Sequence, residues 1–108
     1  MSLSLFILPA AEDDLSEIGD YFDEHEATLS QRFYEHFWKT VQMFAASPKL
    51  GERCRFRNPK TKGMRVWQVD GFSNYLIFYC PKEDMLQVLQ VIHGARDTMA
   101  IFEHDKIL

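Results

Sequence analysis

From Met64 onward, three short runs rich in aromatic and β-branched residues follow one another with connections of four residues. They are Met64 to Asp70, Tyr75 to Cys80 and Met85 to His93, joined by Gly-Phe-Ser-Asn and Pro-Lys-Glu-Asp. Strands joined this closely pair as consecutive antiparallel neighbours, because a parallel return needs a dozen residues or more. Gly94 ends the third run. The second half of the chain is therefore a β-meander, and whatever precedes it must cover one of its faces.

The first half supplies the cover. Leu3 to Leu8 is short and apolar, and Pro9 follows it, so it reads as a first strand with a helix start behind it. Glu12, Asp13 and Asp14 suit the first turn of that helix, where the peptide dipoles favour negative charge. Ala11, Leu15, Ile18 and Phe22 recur at helical spacing and form its apolar face. His25 to Thr28 is a break, after which Thr28 or Ser30 can cap a second helix. Leu29, Phe33, Phe37, Val41 and Phe44 are its stripe, widened by Tyr34 and Trp38. Ser47-Pro48 ends it, since the residue before proline avoids helical angles. So short a break implies an antiparallel helix hairpin. Leu50 to Gly63 is a polar, basic loop with room for one short strand. Asp97 or Thr98 can cap a last helical turn bearing Met99, Ile101 and Phe102.

The expected fold class is α+β. Its order is β-α-α-β-β-β, with a helix hairpin packed on a small antiparallel sheet and a short C-terminal helix. Residues 1–108 read as one domain, with no repeat or low-complexity tract. A domain of this size buries about two-thirds of its unfolded surface and needs no staple. No apolar run approaches the roughly 20 residues of a membrane span, and no signal peptide is evident. Cys54 and Cys80 match no metal or redox spacing, so no metal or cofactor is expected, and two free thiols suit a cytoplasmic protein.

Net charge is −4, which argues against general nucleic-acid binding. Its distribution is more informative. Eight of the 16 acids lie between Glu12 and Glu26, and no Lys or Arg precedes Arg32. Seven of the 12 bases lie between Lys49 and Arg65, offset only by Glu52. One helix face is acidic, and one loop is basic enough to meet an acidic partner.

The element order, together with Met64-Arg65-Val66-Trp67, Asn74-Tyr75-Leu76-Ile77-Phe78-Tyr79 and Val91-Ile92-His93-Gly94-Ala95-Arg96-Asp97, resembles the RelE/ParE superfamily of bacterial type II toxins, whose ParE-like branch includes plasmid stabilisation toxins. The resemblance covers nearly the whole chain. It implies a toxin encoded beside an antitoxin that blocks it. It also implies one of two activities. RelE-like members cut messenger RNA on the ribosome, whereas ParE-like members poison DNA gyrase without hydrolytic chemistry.

An RNA-cutting site needs cations on the scissile phosphate and a proton donor and acceptor beside it. Arg65, Tyr79, His93 and Arg96 are the candidates, although Tyr75, Phe78 and Tyr79 on the central strand read first as core aromatics, with the tyrosine hydroxyls reaching the rim. RelE-like sites carry a tyrosine shortly after the arginine of the last strand. Here Arg96 is followed by Asp97, Thr98, Met99, Ala100 and Ile101. The His-Gly-Ala-Arg-Asp ending is ParE-like, and Cys80 and Gln90 stand where related toxins often carry arginine. The resemblance therefore implies a gyrase inhibitor that is not an enzyme. If the chain were a nuclease, Arg65, His93 and Arg96 would carry it. A non-toxic antitoxin-binding module is the third reading. For partner contact the expected residues are Arg53, Arg55, Arg57, Arg65 and Arg96. Each has a plainer alternative. The arginine loop can be a solvated edge strand guarded by charge, His93 a structural hydrogen bonder, and Arg96-Asp97 an anchor for the last turn.

Overall fold

The computed structural model describes residues 2–94. The expected C-terminal helix, with Arg96 and Asp97, lies outside the described residues. The element order is β1 (Ser4–Ile7), α1 (Pro9–Asp23), α2 (Leu29–Ala46), β2 (Glu52–Arg53), a 3-10 turn (Pro59–Thr61), β3 (Arg65–Val69), β4 (Phe72–Pro81) and β5 (Met85–His93). This is the α+β order read from the sequence, with one short strand in the basic loop.

The five strands form one sheet in the order β1-β5-β4-β3-β2. Strands β2 to β5 pair antiparallel. Strand β1 adds in parallel to β5, with Ser4 opposite Met85 and Ile7 opposite Val88, so the sheet is mixed. The helix hairpin covers one face. Phe33, Phe37, Val41 and Phe44 of α2 are fully buried, with Ala11 and Phe22 of α1, against Val69, Ile77, Tyr79, Leu86, Val88 and Val91. Each buried phenylalanine contributes about 1.5–3 kcal/mol by leaving water. The widening of the α2 stripe holds only in part. Tyr34 packs on the core, whereas Trp38 is among the exposed large side chains.

The opposite face of the meander carries its own cluster. Phe78 and Cys80 of β4 join Leu89 and Ile92 of β5, with Met64 just ahead of β3 and Cys54 and Phe56 of the basic loop. Strand β4 is thus buried on both faces from Ile77 to Cys80. Leu89 is an extra residue at a bulge, since Phe78 pairs with Gln90 and Tyr79 with Val88.

Three local details differ from the expected ones. Pro9 is the first residue of α1, a position where its missing N–H costs nothing. Thr28 takes the cap position of α2, yet its hydroxyl bonds to Glu26, and Ser30 donates to the Asp23 carboxylate at the end of α1. The hydroxyls tie the hairpin corner instead of capping the helix. Strand β4 begins at Phe72, so the connection is Asp70-Gly71 and not the four residues after Asp70. Gly71 has φ +83°, which a side chain would resist. A two-residue Asp-Gly turn is a strong hairpin signal, and it outweighs the polar look of Ser73-Asn74.

Candidate functional site

At the β2/β3 edge the chain builds a polar clamp. Tyr79 is fully buried and stacks on Phe44 with centroids 4.2 Å apart and planes 10° from parallel. Its hydroxyl donates to the Pro48 carbonyl at 2.9 Å and accepts from the Gly51 N–H at 2.8 Å. Arg65, the first residue of β3, is paired with Tyr79 across the ladder. Its Nη1 donates to the Gly51 carbonyl at 2.7 Å and the Lys49 carbonyl at 3.3 Å. The Tyr79 hydroxyl and the Nη1 end of Arg65 are thereby engaged with the backbone that leaves α2. Burial pushes the Tyr79 phenol above its ordinary pKa, and the Gly51 N–H and the Arg65 charge oppose this. Gly51 has no room for a side chain, because a Cβ there would meet the Tyr79 hydroxyl at 2.7 Å and the Val66 carbonyl at 2.8 Å.

The basic loop is built outward from this clamp. Arg53, Arg55 and Arg57 are exposed, whereas Cys54 and Phe56 between them turn onto the second apolar cluster. The alternation of a guarded edge is present, although only Glu52 and Arg53 ladder with β3. The Cys54 N–H still bonds to the Met64 carbonyl. Beyond it, the buried Asn58 accepts from the Lys60 N–H, and the Thr61 hydroxyl donates to the Asn58 carbonyl at 2.6 Å. These bonds fix the turn that follows the three arginines. The Cys54 thiol is pushed up to about 11, first by burial and then by Glu52, so it stays protonated and unreactive at neutral pH.

His93 stands at the far end of the sheet. It pairs with Tyr75, and its ring meets the Tyr75 ring edge-on at 5.1 Å. Tyr75 and Tyr79 are four residues apart on β4, about 13 Å along the strand, and β3 and β5 lie on opposite sides of it. The Arg65 and His93 backbones are therefore roughly 16 Å apart. The structure does not bring together the two described members of the expected nuclease set, and Arg96 lies outside the described residues. Tyr79 joins Arg65, but with both sides of its hydroxyl committed.

The α1 edge holds a contact that the sequence reading missed. Strand β1 covers β5 only as far as Val88, where the Leu8 N–H bonds to the Val88 carbonyl. Beyond that point the Asp14 carboxylate accepts from the Val91 N–H at 2.9 Å. An acid read as a first-turn residue on an acidic helix face thus closes a strand edge. Across the second face, Gln90 points to the same side as Cys80, and its Oε1 is buried with no hydrogen-bond partner. Among the described residues, no group of three or more His, Cys, Asp or Glu is placed to hold a metal ion. No described helix is long and apolar enough to cross a membrane.

A family model described as the ParE toxin of the type II toxin–antitoxin system parDE matches residues 5–98. The chain belongs to the ParE toxin family. As a ParE-family chain it is the toxin component of a type II toxin–antitoxin system, and the parDE pairing implies an antitoxin partner. Among solved structures, it is similar to the chromosomal ParDE toxin–antitoxin system from P. aeruginosa. That match has a TM-score of 0.68 and 16% identity, and covers 85% of this chain and 96% of the other. At that identity the likeness speaks for the fold. No curated protein matches.

Proposed function

We propose that this ParE-family toxin inhibits DNA gyrase by protein contact, without cutting RNA, and that a cognate antitoxin neutralises it by covering its docking surface. The observation that carries this reading is the commitment of Tyr79 and Arg65 to the backbone of residues 48–51. A general acid–base needs a free proton path to substrate, which the buried and doubly bonded Tyr79 hydroxyl lacks, and Arg65 has one end of its fork turned to backbone carbonyls. His93 lies across the sheet from both. What remains exposed is the run of Arg53, Arg55 and Arg57, which suits an acidic protein surface. Arg65 serves this surface indirectly, by fixing the loop at its base, and Arg96 is retained as a further contact. The chain is read as a single toxin domain acting in the cytoplasm.

A supercoiling assay with purified toxin and gyrase tests the proposal. Inhibition that falls when Arg53, Arg55 and Arg57 are changed together to glutamate is the expected result. Primer extension on translated messages after induction covers the competing activity. New cleavage sites lost in His93→Ala, with gyrase unaffected, would overturn the reading.

A further inference from the structure

Strands β2 and β3 meet in two cross-strand pairs, Glu52 with Val66 and Arg53 with Arg65. The second pair sets two arginines directly opposite each other. Residues paired in an antiparallel ladder share a face, with Cβ atoms about 4.5–5.5 Å apart. Arg65 in turn pairs with Tyr79, which belongs to the core under the helices. Arg53, Arg65 and Tyr79 thus form one row on the helix side of the sheet, running from the core to the edge. Among the described strands, Arg53 with Arg65 is the one pair of like charges in register. Such a pair is destabilising by itself.

Nothing in the loop offsets it. Glu52 is the one acid between Lys49 and Arg65, and strand alternation turns it to the other face, where its charge acts on Cys54. Arg65 is anchored by Nη1, which donates to the carbonyls of Gly51 and Lys49. A guanidinium has five N–H donors, so this anchor leaves the Nε and Nη2 edge for another acceptor. Arg53 is exposed and takes no hydrogen bond or ion pair among the described residues. One arm is therefore fixed, and the other is available to close. The group that neutralises two adjacent guanidiniums is a small planar anion whose oxygens accept from both forks, and a carboxylate fits. A nucleic-acid backbone would bring a row of phosphates to a chain of net charge −4, which suits it less well.

We infer that Arg53 and Arg65 clasp one carboxylate of a protein partner, with Arg65 as the fixed arm and Arg53 as the closing one. The inference rests on the reading of the basic loop as a protein-contact surface, and it names the pair that makes the contact and the group they take. Arg55 and Arg57 follow the two-residue ladder and add diffuse charge beside the clasp.

The test uses the full chain with ¹⁵N-labelled arginine, so that the side-chain Nε–H signals are read. It is titrated with the blocked tripeptide acetyl-Gly-Glu-Gly-amide at constant ionic strength. The glutamine peptide and dimethyl phosphate are run in parallel. Saturable shifts are expected at Arg53 and Arg65 with the glutamate peptide, weaker ones with dimethyl phosphate and none with glutamine. Arg53→Gln should weaken binding about three- to five-fold, and Arg55→Gln less than about two-fold. Arg53→Gln should also raise the urea midpoint of the free protein at low salt, because it removes the repulsion. Equal weakening by the two variants, or a lowered midpoint in Arg53→Gln, would overturn the inference. So would dimethyl phosphate binding as tightly as the glutamate peptide, or no saturation by about 100 mM peptide. The titration is independent of gyrase. A toxin that inhibits gyrase but fails the titration sinks the clasp alone, and one that binds the peptide but leaves gyrase active sinks the gyrase reading alone.

Discussion

The two ends of the sheet solve the same problem with opposite charge. Both must stop a strand edge from offering its backbone to another chain. At the α1 end, β1 stops pairing at Val88, and the Asp14 carboxylate takes the next strand amide at Val91. The helix that brings it is acidic throughout. At the β2 end, the edge strand is two residues long, and exposed arginines follow it. There the neutral clamp of Tyr79 and the charged fork of Arg65 hold the incoming chain at Gly51. One edge is closed by a side chain reaching a strand, and the other by side chains reaching a loop. The first is acidic, and the second leaves exposed arginines.

Unequal burial at the two ends makes the comparison breakable. The largest effect is expected from Phe44→Ala, which removes the ring stacked on Tyr79 and leaves a cavity in the core. About 3–5 kcal/mol of stability should be lost, read by urea unfolding. Tyr79→Phe keeps the ring and removes the bonds to Pro48 and Gly51. It should cost about 1–3 kcal/mol and speed amide exchange at Gly51. Asp14→Asn at the other end keeps the shape and weakens a charge-assisted bond. A loss of about 1 kcal/mol is expected, with faster exchange confined to Val91 and its neighbours. If Asp14→Asn proved costlier than Tyr79→Phe, the acidic edge would be the structural one and the comparison would invert.

A smaller effect follows from Cys54. Its pKa is raised from 9.0 to about 11 in the fold, so the folded state holds the proton more tightly than the unfolded chain. The resulting stability is fully present below pH 9 and is lost as pH rises through about 11. Unfolding midpoints measured from pH 8 to pH 11 should fall, and Cys54→Ser should flatten that slope. Alkylation of Cys54 at pH 8 should be slow for the same reason. The smallest effect on stability belongs to the joint change of Arg53, Arg55 and Arg57 to glutamate. Each substitution should stay within about 0.5 kcal/mol, so any change in partner binding can be read as surface charge.

Much of the architecture was legible because it is local. The stripes of α1 and α2 and the three runs of the meander are periodicities of neighbouring residues, and β5 has the bounds that its apolar run suggests, Met85–His93. The turn at Asp70-Gly71 was also written in the chain but was overshadowed by the polar residues after it. The site was much less legible. Arg65 beside a basic loop looks like a contact residue, whereas Tyr79 reads first as a core aromatic with its hydroxyl at the rim, and its burial agrees. Only their partners at Pro48, Lys49 and Gly51, 14 to 31 residues away in sequence, show what they hold.

By itself, then, the sequence determined the elements, their order and the separation of charge between an acidic helix and a basic loop. These depend on propensity, periodicity and composition over short spans. Tertiary structure alone decided that β1 lies parallel to β5, that Asp14 closes the edge where β1 ends, and that Arg65 and His93 stand at opposite ends of β4. A parallel pair has no turn to announce it, and a carboxylate 77 residues from its amide leaves no pattern in the chain. The acids of α1 read alike in sequence, and only the packing of the helix on the sheet separates the one that bonds a strand from those that meet solvent.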